Sequence, residues 1–194
     1  MKLAFFVGTS AGVLAGLSDR LVRLRLRSHV SHCELVFVPG DGVDALMPDG
    51  SCALDAGGAA WCASASGFDE MASWSRRRPG CRGGVRFKRI DLRNTADWLI
   101  VDLPWLTPAR KLSAARWFCE HEGELYDWRG VFGFLAWPIS GKDGRWTCHE
   151  ACCAALGVTG GDRLDPAALC ELALYARNSM REQHYRRVQT EAAS

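Results

Sequence analysis

Hydrophobic and polar positions change rhythm about halfway along the chain. The first hundred residues carry short apolar runs bounded by Gly, Pro or Asp: "KLAFFVG" (2–8), "SHCELVFV" (31–38), "SCALDA" (51–56), "GVRFKRIDL" (84–92) and "WLIVDLP" (98–104). Such runs predict consecutive antiparallel strands. Between the first two, "LSDRLVRLRLR" (17–27) sets Leu17, Leu21 and Leu24 at helical spacing and predicts a basic amphipathic helix, although its last residues alternate as a strand would. The Gly- and Ser-rich stretch 57–83 reads as a long surface loop.

Helical signals fill the second half. Thr107 as cap, Pro108 at the first helical position and Gly123 as stop predict a helix between them. A shorter helix is expected in "YDWRGVFGFLAW" (126–137). Two more follow in "TCHEACCAAL" (147–156) and "DPAALCELALYAR" (165–177). The residues after Asn178 read as a frayed polar tail. Strands first and helices later predict an α+β fold, an antiparallel sheet with helices packed against it. The expected organisation is a single domain over 1–178 and a polar C-terminal tail over 179–194.

A chain of 194 residues with 48% hydrophobic content suits one compact domain, and a net charge of +2 gives no argument for nucleic acid. Arginines gather only locally, from Arg20 to Arg27 and from Arg76 to Arg89, so weak attraction to anionic partners is expected. Nine cysteines without the paired spacing of a secreted framework predict reduced thiols and a cytoplasmic protein. "MKLAFFVGTSAGVLAG" has the charge and much of the length of a signal peptide, but Thr9 and Ser10 interrupt its apolar run and favour a strand turning into a helix. No run of about eighteen apolar residues exists, so no membrane span is expected.

Chemistry concentrates in "GRWTCHEACCAALG", from Gly144 to Gly157. Thr147 and Glu150 match a capping box, which makes Cys148 the first residue of a helix. There the free N–H groups and the positive end of the dipole favour thiolate over thiol. The following "ACCAAL" is uncharged, so Cys152 and Cys153 are expected to act as small hydrophobes in a central helix. Two rival readings compete: a purely structural cysteine cluster, and zinc on Cys148, His149, Cys152 and Cys153. Spacing opposes the second, since 149 and 153 point about 100° away from 148 and 152, and no CxxC completes a ligand set.

A cysteine nucleophile needs a base. His149 is the sequence neighbour of Cys148 and is expected to face elsewhere. His121 and His184 fall in a helix and in the polar tail. His32 opens the second strand with Glu34, Val36 and Val38 on its face, and His29 in the preceding loop is second choice. The imidazole in turn needs an orienter. Asp55 is expected to supply it from the neighbouring strand "SCALDA", unless it is a turn aspartate beside Gly57 and Gly58. Glu34, about 6.6 Å along the same strand by its rise, is held as the alternative.

With a strand histidine early, an acidic residue on the next strand and a helix-capping cysteine late, the chain resembles the circularly permuted NlpC-type papain-like cysteine hydrolases, the YiiX/YaeF-like group. In ordinary NlpC-type enzymes the cysteine helix precedes the histidine strand; here the order is reversed. The likeness runs from "LSDRLVRLRLRSHVSHCELVFV" through "SCALDA", "GVRFKRIDL" and "HEGELYDWRGVFGF" to "WTCHEACCAALG", most of the chain up to about Leu174. It implies a permuted papain-like fold with Cys148 as nucleophile, His32 as base, an acidic third member matching Asp55, and Tyr126 lining the site. It departs where the family more often has glutamate as third member, and Ser-Glu rather than His149-Glu150 after the cysteine.

The function expected from these readings is hydrolysis of a small amide, peptide or N-acyl substrate through an acyl-enzyme, with no cofactor and no metal. Two alternatives stand beside it. One is a catalytically inactive papain-like module for binding or assembly, with arginines facing an anionic partner; the other is a zinc-binding protein. No specific nucleic-acid partner is expected.

Overall fold

The computed structural model describes residues 1–10, 12–131 and 144–192. Five strands form one antiparallel sheet: β1 (Lys2–Phe6), β2 (His32–Val36), β3 (Ala59–Glu70), β4 (Arg82–Asp91) and β5 (Trp98–Asp102), in the order β4-β3-β2-β1-β5. Helix α1 (Val13–Leu26) lies between β1 and β2. After the sheet come α2 (Pro108–His121), a short parallel pair β6 (Leu125–Tyr126) and β7 (Arg145–Trp146), α3 (Cys148–Leu156) and α4 (Pro166–Ala192). The α+β class with an antiparallel sheet is therefore observed, and none of the described helices is long and apolar enough to cross a membrane.

Period-two alternation divides the sheet into two faces. One carries Leu3, Phe5, Cys33, Leu35, Ala63, Val85, Phe87 and Val101, which pack with Ala114, Ala115 and Phe118 of α2 and with Ala151, Cys152 and Ala155 of α3. Phe118 meets Phe37 and Phe87 edge-on at ring-centroid distances of 6.5 and 6.3 Å. The other face has a smaller apolar cluster around Ala4, Val36, Ala60, Cys62 and Ile90. On this face β2 also carries His32 and Glu34, and β4 carries Arg86 and Lys88.

The structure corrects two strand boundaries that belong together. "SCALDA" is not a strand, because its backbone is used locally: the Cys52 N–H donates to Asp44 Oδ1 at 2.8 Å and the Ala53 N–H to Ser51 Oγ at 3.0 Å. The expected surface loop 57–83 instead supplies β3, one of the central strands. Its alanines and serines read as loop in sequence, yet small side chains such as Ala63 and Ala65 are what let α3 lie close against the sheet. Ser64, fully buried, donates its hydroxyl to the Cys33 carbonyl at 2.6 Å.

Helix ends follow the expected chemistry. The Arg110 N–H donates to Thr107 Oγ1, with Pro108 opening α2, and the Ala168 N–H donates to Asp165 Oδ1 ahead of α4. The frayed tail after Asn178 is a correction: α4 continues to Ala192, through a stretch of good helix formers with neither Gly nor Pro. Of the helix expected over 126–137, residues 128–131 are helical, and 132–137 lie outside the described residues. The side chain of His184 also lies outside them.

Candidate active site

The start of α3 is built as its sequence requires. The Thr147 N–H and hydroxyl both donate to Glu150 Oε2, at 2.9 and 2.7 Å, closing the capping box and fixing Cys148 as the first helical residue. Cys148 is 4% exposed. Cys152 and Cys153 are buried in the core, the packing role expected of them. Among the described residues no three His, Cys, Asp or Glu side chains gather as a metal-binding group.

His32 opens β2, near enough to Cys148 that the two side chains shift each other's pKa. The imidazole Nε2 lies 2.9 Å from Glu34 Oε1. Burial alone would lower the pKa of His32, but the charge and hydrogen bond of Cys148, followed by the hydrogen bond and charge of Glu34, outweigh it and push it up to about 10. Cys148 moves the other way, well below an ordinary thiol: a hydrogen bond from Cys33, the His32 charge and hydrogen bonds from His149 and His32 overcome desolvation. By contrast burial, reinforced by neighbouring negative groups, pushes Cys33 and Cys62 well up and Cys153 to about 12. The pair can therefore rest as thiolate and imidazolium.

Glu34 is completely buried and answers to Arg86 on β4. Arg86 Nη1 and Nη2 donate to Glu34 Oε2 and Oε1 at 2.8 and 2.6 Å, a two-pronged pair. Lys88 Nζ lies 3.2 Å from Glu34 Oε1 and 3.0 Å from Asp69 Oδ2, while Arg86 Nε donates to Asp69 at 2.8 Å. Desolvation would raise the Glu34 carboxyl, but the charges of Arg86 and Lys88 and the hydrogen bond and charge of His32 hold it well below the usual range. Charges of opposite sign alternate from Cys148 through His32 and Glu34 to Arg86 and Lys88, and on to Asp69.

Asp55 is not part of this chain. It sits exposed in the turn before β3, where its Oδ1 accepts the Ala59 N–H at 2.8 Å and its carbonyl accepts the Gly58 N–H at 2.8 Å. That is the turn role weighed against it, and the loss of "SCALDA" as a strand removes the cross-strand contact. The carboxylate that meets the His32 ring is that of Glu34, the alternative held for this role. His29 is exposed in the turn before β2, and His121 stacks on Trp117 at 4.1 Å.

His149 departs from expectation in the other direction. Its Nδ1 lies 3.2 Å from Thr147 Oγ1, it borders the small cavity beside Cys148, and it is among the groups that lower the Cys148 pKa. Arg86, Lys88 and Asp69 were missed from sequence. The alternation of "VRFKR" places Arg86 and Lys88 on one face of a strand, but a lone chain pattern does not say that Glu34 waits across the sheet.

Tyr126 lies on β6. It borders both a small cavity of about 50 Å³ beside Cys148 and a larger one of about 340 Å³ that opens on His32; Val22, Ser31 and Val131 border both. Burial and the nearby Cys148 charge raise the phenol well above its ordinary pKa, so it stays a neutral hydrogen-bond donor. A cavity of about 590 Å³ elsewhere, between Leu103 and Met180, has no cysteine or histidine among the described residues that line it. The chain matches no protein-family model, no curated protein and no solved structure.

Proposed function

We propose that this protein is a cysteine hydrolase of permuted papain-like architecture, cleaving an amide bond in a small peptide or N-acyl substrate through an acyl-enzyme. The observation that carries the reading is the run of hydrogen bonds from His32 to Glu34 and from Glu34 to Arg86, beside a thiol at a helix start, Cys148, that shifts and is shifted by the His32 pKa towards the charged forms. The order along the sequence, histidine strand before cysteine helix, supports the permutation.

In this reading the Cys148 thiolate attacks the substrate carbonyl. N–H groups of the first turn of α3 lack intrahelical partners by helix geometry and lie where the developing oxyanion needs donors. The imidazolium of His32 protonates the leaving amine, and the neutral ring then takes a proton from water as water attacks the thioester. Glu34 holds the ring through Nε2 and stabilises the imidazolium; Arg86 fixes Glu34. Tyr126 offers a donor at the rim. Each step uses groups of this chain alone.

Rapid acid quench with an activated acyl substrate, followed by intact-mass and peptide analysis, tests the reading. The expected result is one acyl group on Cys148, absent in Cys148→Ala. Turnover undiminished in Cys148→Ala, or an adduct on any other thiol, overturns it.

A further inference from the structure

Helix α1 is held to the body along one side. Ala15, Ser18, Asp19 and Val22 line the cavity that opens on His32, and Asp19 is engaged by the Ser10 N–H at 3.0 Å. Gly16 is the buried residue of the helix. The opposite arc is different. Leu14, Leu17, Leu21 and Leu24 fall on one stripe by helix geometry, and they are 73%, 52%, 45% and 77% exposed, with Val13 exposed at the stripe's head. Isolated exposed leucines are ordinary on protein surfaces, but a contiguous helical stripe of them marks a contact surface.

Arginines border this stripe on both edges. At 100° per residue, Arg20 falls along one edge and Arg25 along the other, and Arg27 caps the helix end in a left-handed conformation, all three exposed. We propose that α1 is an interfacial helix that seats this face of the protein on a bilayer surface bearing anionic headgroups. Its leucines enter the boundary of the acyl chains while its arginines lie among the phosphates. Charge selects this occupant over a second copy of the chain. Two copies meeting stripe to stripe would bring their arginine edges together, whereas an anionic surface neutralises both edges at once.

The inner face of the same helix borders the His32 cavity, so docking brings the cavity to the lipid surface. Amides bearing acyl chains are then the substrates the site meets first. That last step rests on the hydrolase reading; the docking itself does not.

Flotation with vesicles at physiological salt tests the docking, using phosphatidylcholine alone and phosphatidylcholine mixed with phosphatidylglycerol. The protein is expected to float with the mixed vesicles and to stay behind with the neutral ones. Replacing Leu14, Leu17, Leu21 and Leu24 together by Ser is expected to cut partitioning roughly tenfold or more, with Cys148 alkylation unchanged as evidence of an intact fold. Arg20→Gln with Arg27→Gln is expected to weaken it and to reduce its salt dependence. Cys148→Ala floats like the parent protein, which separates docking from catalysis. Three results overturn the proposal: no flotation with anionic vesicles, equal flotation of the serine variant, or a concentration-dependent dimer that the serine variant abolishes, which assigns the stripe to a second copy.

Discussion

His32 Nε2 meets Glu34 Oε1 at 2.9 Å, two residues along one strand. The contact occupies Nε2 and ties the imidazole to a carboxylate that is itself completely buried. Glu34→Gln keeps the shape but removes the charge that favours the imidazolium. The pKa of His32 is expected to fall from about 10 towards its ordinary 6.5, followed by NMR titration of the ring protons. Asp55→Ala is expected to leave that titration alone. A larger shift from Asp55→Ala than from Glu34→Gln would return the orienting role to the turn before β3.

Arg86 is 2% exposed and Glu34 not at all, so removing one strands the other. Arg86→Leu is expected to cost about 3–5 kcal/mol of stability in urea unfolding, and Arg86→Leu with Glu34→Leu to recover part of it. A loss under about 1 kcal/mol in the single variant would show that the pair is not desolvated as described. The pH dependence has a defined sign. Because the Glu34 pKa is depressed on folding, its contribution is fully present above its unfolded value of 4.5 and is lost as pH falls through the depressed one. Glu34→Gln should therefore flatten that part of the acid-unfolding curve.

Gly84 stands where β4 passes beneath the segment leading to Tyr126. Its φ is +138°, and an added Cβ would come within 2.4 Å of the Glu124 carbonyl oxygen, which also accepts the Val85 N–H at 2.9 Å. Gly80, at φ +70°, has open space around it. Gly84→Ala is expected to destabilise by clearly more than Gly80→Ala, whose cost is the backbone strain alone, about 1 kcal/mol. Equal melting temperatures for the two variants would remove the close approach from the account of how Tyr126 is placed.

Strands with branched or aromatic side chains were legible because burial of one face imposes period two. β3 was not, because the alanines and serines that admit α3 carry no propensity for a strand. The proposed nucleophile and base are legible locally, Cys148 through the Thr147–Glu150 cap and His32 through its place at a strand start. Glu34 was ranked second on Cα spacing along the strand, whereas side chains on one face lean towards each other and close the gap. Arg86, Lys88 and Asp69 look like surface charge in sequence, since which carboxylate faces which cation is decided by a sheet register that runs from β2 through β3 to β4, with Arg86 and Glu34 52 residues apart.

The pH dependence of Cys148 alkylation tests the central claim, that His32 holds this thiol as a thiolate. The intact protein is expected to be labelled rapidly at Cys148 near pH 6, and Cys152→Ser to behave the same way, since Cys152 packs in the core. In His32→Ala the thiol should return towards its ordinary pKa of about 8.5 and react slowly near pH 6. His149→Ala, which removes one group that lowers the Cys148 pKa but leaves His32, should have the smaller effect. An unchanged profile in His32→Ala, or first labelling at Cys152 or Cys153, would contradict the account.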